Sequence, residues 1–439
     1  MPDATKRPIQ IGNCSGFYGD RISAMREMLE GRQEDGSSLD VLTGDYLAEL
    51  TMLILGKDTL RDPSLGYAKT FLAQARDCLA LALEKGVKLV SNAGGLNPRG
   101  LAEALDALGT GAKIAYVAGD DVRGKIDVPD ALTANAYLGG FGIARALAHG
   151  ADVVVTGRVT DAAVVMGPAI WWHDWSPTDY DALAGSVIAG HVIECGTQAT
   201  GGNFAGLFDA IDAGLVDDPV QPFGFPIAEI AADGTVVITK HSGTGGLVTV
   251  DTVTAQLFYE IQGASYLNPD VTTDLTSIAL SQLGPDRVEI AGTRGSEPPE
   301  RLKVAVNQLG GWRNQVEFVL TGLDIDRKAD LVTRQVEAAL PADLQRSWST
   351  WRAPAPDSPT EEGAATLLRL TVWSTDENAV GRAFTGPAIE LVLASYAGFH
   401  VTAPPGKASA YGVYTPTYVD RGQVRHTVHH HDGTTEVVA

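Results

Sequence analysis

ADVVVTGRVTDAA, residues Ala151–Ala163, is a short β-branched run that stops in a Thr-Gly-Arg turn. Its strand is read as Asp152–Val155, leading into Thr156-Gly157-Arg158-Val159-Thr160-Asp161. Similar runs precede it at Arg7–Ile11, Leu39–Leu42, Val87–Val90 and Lys113–Val117, each bounded by small or turn-forming residues. Helix-length segments lie between them: Asp20–Glu30, Tyr46–Leu55, Leu65–Lys85, Leu101–Leu108 and Ala134–His149. In the third, Phe71, Ala75, Cys78, Leu79 and Ala82 share one face, and Gly86 supplies the stop. Repeated β-α units with short connections predict an α/β fold whose N-terminal sheet is mostly parallel, with helices on both faces. A longer barrel is the alternative, though only these units are legible.

Downstream the pattern loosens through Trp171, Trp172 and Trp175, a helix over Tyr180–Ile193, and a glycine-rich loop. DDPVQPFGFP, residues Asp217–Pro226, carries three prolines and reads as a linker or crossing segment. Strands are expected at Thr235–Thr239, Leu247–Thr249, Arg287–Ala291 and Val316–Thr321, and helices at Arg327–Leu340 and Ala379–Tyr396. APAPDSPTEE, residues Ala353–Glu362, reads as an exposed loop. The expected division is an α/β domain over residues 1–216 and a second, α+β domain over 227–439.

Composition narrows the function. Of 439 residues, 44% are hydrophobic and 20% charged, enough to bury sizeable cores. The net charge of −21 repels phosphate backbones and anionic lipid, so nucleic-acid and membrane binding are not expected. The best apolar run, Ala162–Trp172, is broken by a Gly-Pro and falls short of a membrane span. No apolar stretch follows Lys6 and Arg7 as a signal peptide requires. Three scattered cysteines, Cys14, Cys78 and Cys195, form no disulfide framework and suit a cytoplasmic protein.

The strand ends carry the chemistry. They run Gly12-Asn13-Cys14-Ser15-Gly16, Thr43-Gly44-Asp45-Tyr46, Ser91-Asn92-Ala93-Gly94-Gly95 and Gly119-Asp120-Asp121, besides the Thr156–Asp161 turn. Parallel sheets bind ligands where such loops converge, and this set predicts a cleft. The alternative is that Asp and Asn cap helices and Gly makes turns, which is preferred for Asp20. Asn13, Asn92, Gly94, Gly95, Asp120 and Arg158 are candidate substrate-binding residues; Arg158 suits a bidentate grip on a carboxylate or phosphate. Asp45 and Asp161 are candidate acid–base groups. No G-x-G-x-x-G or P-loop is present, so neither NAD nor ATP is expected. Asp120-Asp121 could hold Mg²⁺, but a solvated turn explains the pair more simply, and no cofactor or metal site is predicted.

Two later stretches add candidates. Glu194-Cys195 precedes Thr200-Gly201-Gly202-Asn203, and Lys240-His241 precedes Thr244-Gly245-Gly246; each Thr-Gly-Gly could form an anion nest. Thr200, Gly201, Gly202, Asn203, Thr244 and Gly245 are taken as substrate-binding. Glu194, near Val192 and Ile193, is a candidate acid or base with a raised pKa; His241 and Lys240 are candidate proton-transfer groups. Cys195 reads as a small buried thiol rather than a nucleophile. His426, His429, His430 and His431 fit a strand ending in an Asp-Gly turn, and Arg294–Ser296 a tight turn.

At these residues the chain resembles the acyclic terpene utilisation AtuA family, once a domain of unknown function. The matching stretches include GNCSGFYGDR (Gly12–Arg21), DVLTGDYLAELTM (Asp40–Met52), DPSLGYAKTFL (Asp62–Leu72), VSNAGGLNP (Val90–Pro98) and VVTGRVTDAA (Val154–Ala163). HVIECGTQATGGNF (His191–Phe204), TKHSGTGGLVTVDTV (Thr239–Val253), YEIQGASYLNPDV (Tyr259–Val271) and AVGRAFTGPAIELVLASYAGF (Ala379–Phe399) continue them in order. The resemblance implies catabolism of terpenoid or other organic acids, free or as coenzyme A thioesters. It also implies a ferredoxin-like partner, either appended or carried by a separate small protein. Together the residues and the resemblance lead to an expected lyase or hydratase acting on a carboxylate or acyl thioester, in a homo-oligomer. A non-catalytic substrate-binding or scaffold subunit acting with the ferredoxin-like partner is the competing expectation.

Overall fold

β1 (Ile9–Asn13), β2 (Val41–Gly44) and β3 (Lys88–Ser91) are strands of four or five residues that hide both faces, which is why they read as continuous apolar runs. The structure, a computed structural model, describes residues 6–33, 36–216, 218–261, 263–351, 355 and 358–438. The helices α1 (Ala24–Glu30), α2 (Glu49–Arg61), α3 (Lys69–Lys85) and α4 (Pro98–Asp106) alternate with these strands. β4 (Ile114–Ala118), β5 (Thr133–Ala136), α5 (Phe141–Ala148), β6 (Val153–Thr156), α6 (Ala163–His173), α7 (Tyr180–Glu194) and α8 (Leu207–Asp212) follow. The chain continues through β7 (Pro226–Ile230), β8 (Val236–Lys240), α9 (Val250–Phe258), β9 (Ser265–Leu267), β10 (Thr272–Asp274), β11 (Ala279–Gly284), β12 (Arg287–Ala291) and β13 (Arg294–Ser296). Next come β14 (Arg301–Leu320), α10 (Ile325–Ala339), β15 (Gln345–Trp351), α11 (Glu361–Ala364), β16 (Thr366–Ser374), α12 (Glu377–Val380) and α13 (Arg382–Ala394). β17 (His400–Val401), β18 (Ser409–Asp420), β19 (His426–His429) and β20 (Thr435–Val438) complete it.

The chain forms two compact units, residues 1–307 with 414–439, and residues 308–413. In the first, an eleven-stranded sheet runs β11-β12-β8-β7-β1-β2-β3-β6-β4-β19-β20. Its centre, β1-β2-β3-β6-β4, is parallel; β7 pairs antiparallel with β1, and β19 antiparallel with β4. Alternate residues of each central strand serve opposite cores: Val41, Val90 and Val154 face α5, α6 and α7, whereas Leu42, Leu89 and Val155 face α1, α3 and α4. The second unit is α+β: β15, β16, the later part of β14, and β17 form an antiparallel sheet covered by α10 and α13 through Phe318, Leu370, Val332 and Phe384.

The expected boundary at 217–226 lies inside the first unit, because β7 and β8 join the sheet of β1; residue 217 lies outside the described residues. The helix expected over Ala134–His149 is two elements. Thr133–Ala136 pairs as β5 with Asn307–Val304 of β14, and a Gly139-Gly140 step separates it from α5. Leu247–Thr249 is not a strand: Thr249 caps α9, accepting from Thr252 N while Thr252 Oγ1 answers Thr249 N. The helix expected over Ala379–Tyr396 is broken at Gly381. Part of the loop expected at 353–362 lies outside the described residues. Among the described residues no helix is long and apolar enough to cross a membrane.

Candidate active site

Where β2 ends, Asp45 turns into the protein with 6% of its surface exposed. Its Oδ1 accepts from Asn92 Nδ2, at the end of β3, at 2.6 Å and from Leu47 N at 3.0 Å. Asn92 Oδ1 in turn accepts from Tyr46 N at 2.9 Å, so one buried amide fixes the whole turn. Burial, and then the charge of Asp161, hold the Asp45 carboxyl well above its ordinary pKa, against the pull of Arg158.

Arg158 follows β6 and is 2% exposed. Its Nη1 donates to Leu47 O at 3.0 Å and to Asp161 Oδ1 at 2.8 Å, and its guanidinium lies 4.3 Å from the Tyr137 ring centroid. Burial works against the charge, but Asp161, Tyr137 and Asp45 outweigh it and keep the group cationic. Behind it Asp120, after β4, accepts from Arg158 N at 2.9 Å and from Asn135 Nδ2 at 2.7 Å through Oδ2. Burial pushes Asp120 up to about 6.

The third element is the C-terminal turn of α7, whose residues from Ala182 to Glu194 are all buried. His191 Nδ1 and Glu194 Oε1 pair at 3.0 Å. Burial drives the Glu194 carboxyl up to about 7, with the neighbouring imidazole holding it back; Glu194 likewise outweighs the burial cost on His191 and raises it. Asn13, closing β1, donates through Nδ2 to Ile193 O at 2.7 Å and Glu194 O at 3.0 Å, which anchors the carbonyl end of the helix.

Asp45, Arg158, Asp161, His191 and Glu194 border one cleft of about 920 Å³ in the first unit, lined also by Cys195, Tyr266 and Asn268. Tyr266 stands over His191 with ring centroids 5.3 Å apart. Thr160 Oγ1, His191 Nε2, Glu194 Oε2 and both polar atoms of the Asn268 amide are buried without a hydrogen-bond partner. Native proteins leave few such atoms, and these five belong to residues that line one cavity, while others lie elsewhere among the described residues. Arg301 and Lys303, from the start of β14, line the same cleft.

Several expected site residues lie elsewhere. His241 packs against α1's end, where a Cβ on Gly31 would fall 2.1 Å from its Nδ1; burial pulls it down to about 4, so it stays neutral and outside the cleft. Lys240 is spent on Asp286 Oδ2 at 2.9 Å and Thr244 O at 2.8 Å, and Thr244 Oγ1 donates to His241 O, so this loop folds on itself. Gly245 pairs with Phe223 in an isolated bridge. Thr200 Oγ1 donates to Gly224 O and Thr197 O, which turns the Thr200-Gly201-Gly202 loop to packing; only Asn203 of that group reaches the cleft. Gly94 and Gly95 are turn residues: a Cβ on Gly94 would meet Thr156 O at 2.4 Å. Asp120, Asn13 and Asn92 stand behind the wall rather than on it. The Asp120 and Asp121 carboxylates are engaged apart, Asp121 by Arg123 at 2.7 Å. Cys195 borders the cleft, but burial and the Glu194 charge raise its pKa and keep it a thiol.

His191, Tyr137, Tyr266, Asn268 and Lys303 are the additions. His191 had a legible signal, the i,i+3 spacing of HVIE at a helix end. Tyr266 and Asn268 arrive on β9 and its exit, inside the YEIQGASYLNPDV stretch that carries the family resemblance but with no chemical motif of their own.

No curated protein matches the chain. The family model described as acyclic terpene utilisation family protein AtuA matches residues 9–430, from the first strand of the sheet to the histidines after β19. The chain therefore belongs to the acyclic terpene utilisation AtuA family.

Proposed function

We propose that the cleft performs acid–base chemistry next to a carbonyl, as a lyase or hydratase acting on an organic acid or its acyl thioester. The observation that carries this reading is the buried Glu194–His191 pair on the cleft wall, with Glu194 at about 7 and its Oε2 unpartnered. A carboxylate with a pKa near working pH accepts a carbon-bound proton best while still returning it. His191 holds the carboxylate's other oxygen.

In the dehydration direction, Glu194 takes the proton from the carbon beside the carbonyl. That C–H pair becomes the new double bond, the C–O bond at the next carbon breaks, and Asp45, whose burial favours the protonated form, gives its proton to the leaving hydroxide. Water is the product, and hydration is the reverse. Arg158, held through Nη1 by Leu47 O and Asp161 Oδ1 and lining the cleft, is the group that grips the substrate's carboxylate or carbonyl oxygen.

The test is deuterium wash-in, followed by NMR, at the carbon beside the carbonyl of 3-hydroxyoctanoate, oct-2-enoate and their coenzyme A thioesters. The parent protein exchanges at least one of them. Glu194→Gln loses about 10²–10⁴-fold of the exchange rate while its thermal midpoint holds. Asp45→Asn keeps exchange and loses water elimination. Undiminished exchange in Glu194→Gln overturns the assignment, and binding without any exchange in the parent makes the chain a binding subunit instead.

A further inference from the structure

Asn268 is 1% exposed, and neither end of its side-chain amide makes a hydrogen bond. Its backbone is fixed, with its N–H donating to Val271 O at 3.0 Å. The Tyr266 hydroxyl is a hydrogen-bonding neighbour of the amide, but the contact falls outside ordinary hydrogen-bond geometry and leaves both ends unsatisfied. Because both ends of the amide are free, the assignment of its oxygen and nitrogen does not affect the argument. A leucine of similar volume would fill this place without burying unpaired polar atoms. The amide therefore has its partner in whatever occupies the cleft it lines.

The partner must accept from the NH₂ and donate to the oxygen. An alkyl chain does neither, a carboxylate or thioester carbonyl only accepts, and an ammonium only donates. A hydroxyl does both. The amides of a coenzyme A arm would also do both, but they lie several bonds from the thioester carbon. Tyr266, two residues before Asn268, stands directly over His191 of the proton-transferring pair. Asn268 lines the same cleft, two residues further along the chain.

We propose that Asn268 is a specificity-determining residue that binds a substrate hydroxyl, and that the substrate class is therefore hydroxy acids, free or as thioesters, rather than unsubstituted acids. This rests on the acid–base reading of the cleft and deepens it.

The test uses free acids, which carry no amide: 2-hydroxyoctanoate, 3-hydroxyoctanoate and octanoate, titrated into the whole chain by calorimetry. The parent binds one hydroxy acid about tenfold or more tighter than octanoate. Asn268→Leu brings the two within about twofold of each other and raises the ligand-free thermal midpoint, because two buried unpaired atoms are gone. Asn268→Ala, read the same way, gives the same loss of discrimination should Leu not fit. Unchanged discrimination in the variants overturns the proposal. So does a lowered midpoint with equal weakening of all three acids, the mark of a structural amide, or failure of both hydroxy acids to bind the parent. Should the acid–base reading fail instead, discrimination persists while deuterium exchange is absent.

Discussion

Replacing Asp120 with Asn makes the protein progressively more stable than its parent as pH rises. Asp120 is 5% exposed and carries two accepted hydrogen bonds on one oxygen, from Arg158 N and Asn135 Nδ2. Burial lifts its pKa from 3.8 to about 6. The folded protein thus holds this proton more tightly than the unfolded chain. The stability it contributes is complete below the unfolded pKa, is lost as pH rises through the folded one, and changes no further above it. The full window is worth about 3 kcal/mol, and the part between about pH 5 and pH 8 about 1.4 kcal/mol. An Asn side chain keeps both accepted bonds on its oxygen and does not titrate. Urea denaturation of parent and Asp120→Asn at about pH 5, 6, 7 and 8, at fixed ionic strength, therefore shows the gap in unfolding free energy moving by ~1.4 kcal/mol in the variant's favour. A gap that stays flat, or moves the other way, means that this carboxyl ionises at no cost inside the protein, and the argument from burial fails with it.

Two further outcomes follow from the geometry. Gly119→Ala loses about 3–5 kcal/mol or gives no soluble protein, since φ is +112° and a Cβ would lie 1.7 Å from Arg425 O; the thermal midpoint reads it. Cys195 in the folded protein reacts with iodoacetamide far more slowly at about pH 8 than the same thiol in urea, because burial and Glu194 keep it protonated; mass spectrometry of the alkylated peptide measures the ratio.

The parallel half of the fold was legible because β1, β2, β3, β4 and β6 are short apolar runs bounded by turns, with both faces largely buried in all but β4, one face of which is half-buried. The placement of β7 and β8 was not. Three prolines, two before β7 and one at its first position, read as a boundary, and nothing local states that Ile230 pairs with Ile9. The site was read in part for the same reason. Asp45, Arg158, Asp161 and Glu194 sit at element ends where function concentrates, and the cleft brings them together. The Lys240–Gly246 loop has the same composition, yet its Lys240 and Thr244 side chains are consumed by its own turn and by Asp286. Composition alone cannot separate a loop that binds a ligand from one that satisfies itself.

One flank of the parallel strands is covered from far along the sequence: Thr427 and Val428 of β19 pair with Ala118 and Val117 of β4. During translation, β4 must wait with one side of its backbone unpaired until β19 has left the ribosome. Long-range pairings of this kind form late, and an open strand edge invites association with other chains. A message truncated shortly before Arg425 would encode nearly every cleft residue and still yield a nascent product with an adhesive border. The β19–β20 hairpin thus covers the β4 edge only once it has itself been synthesised.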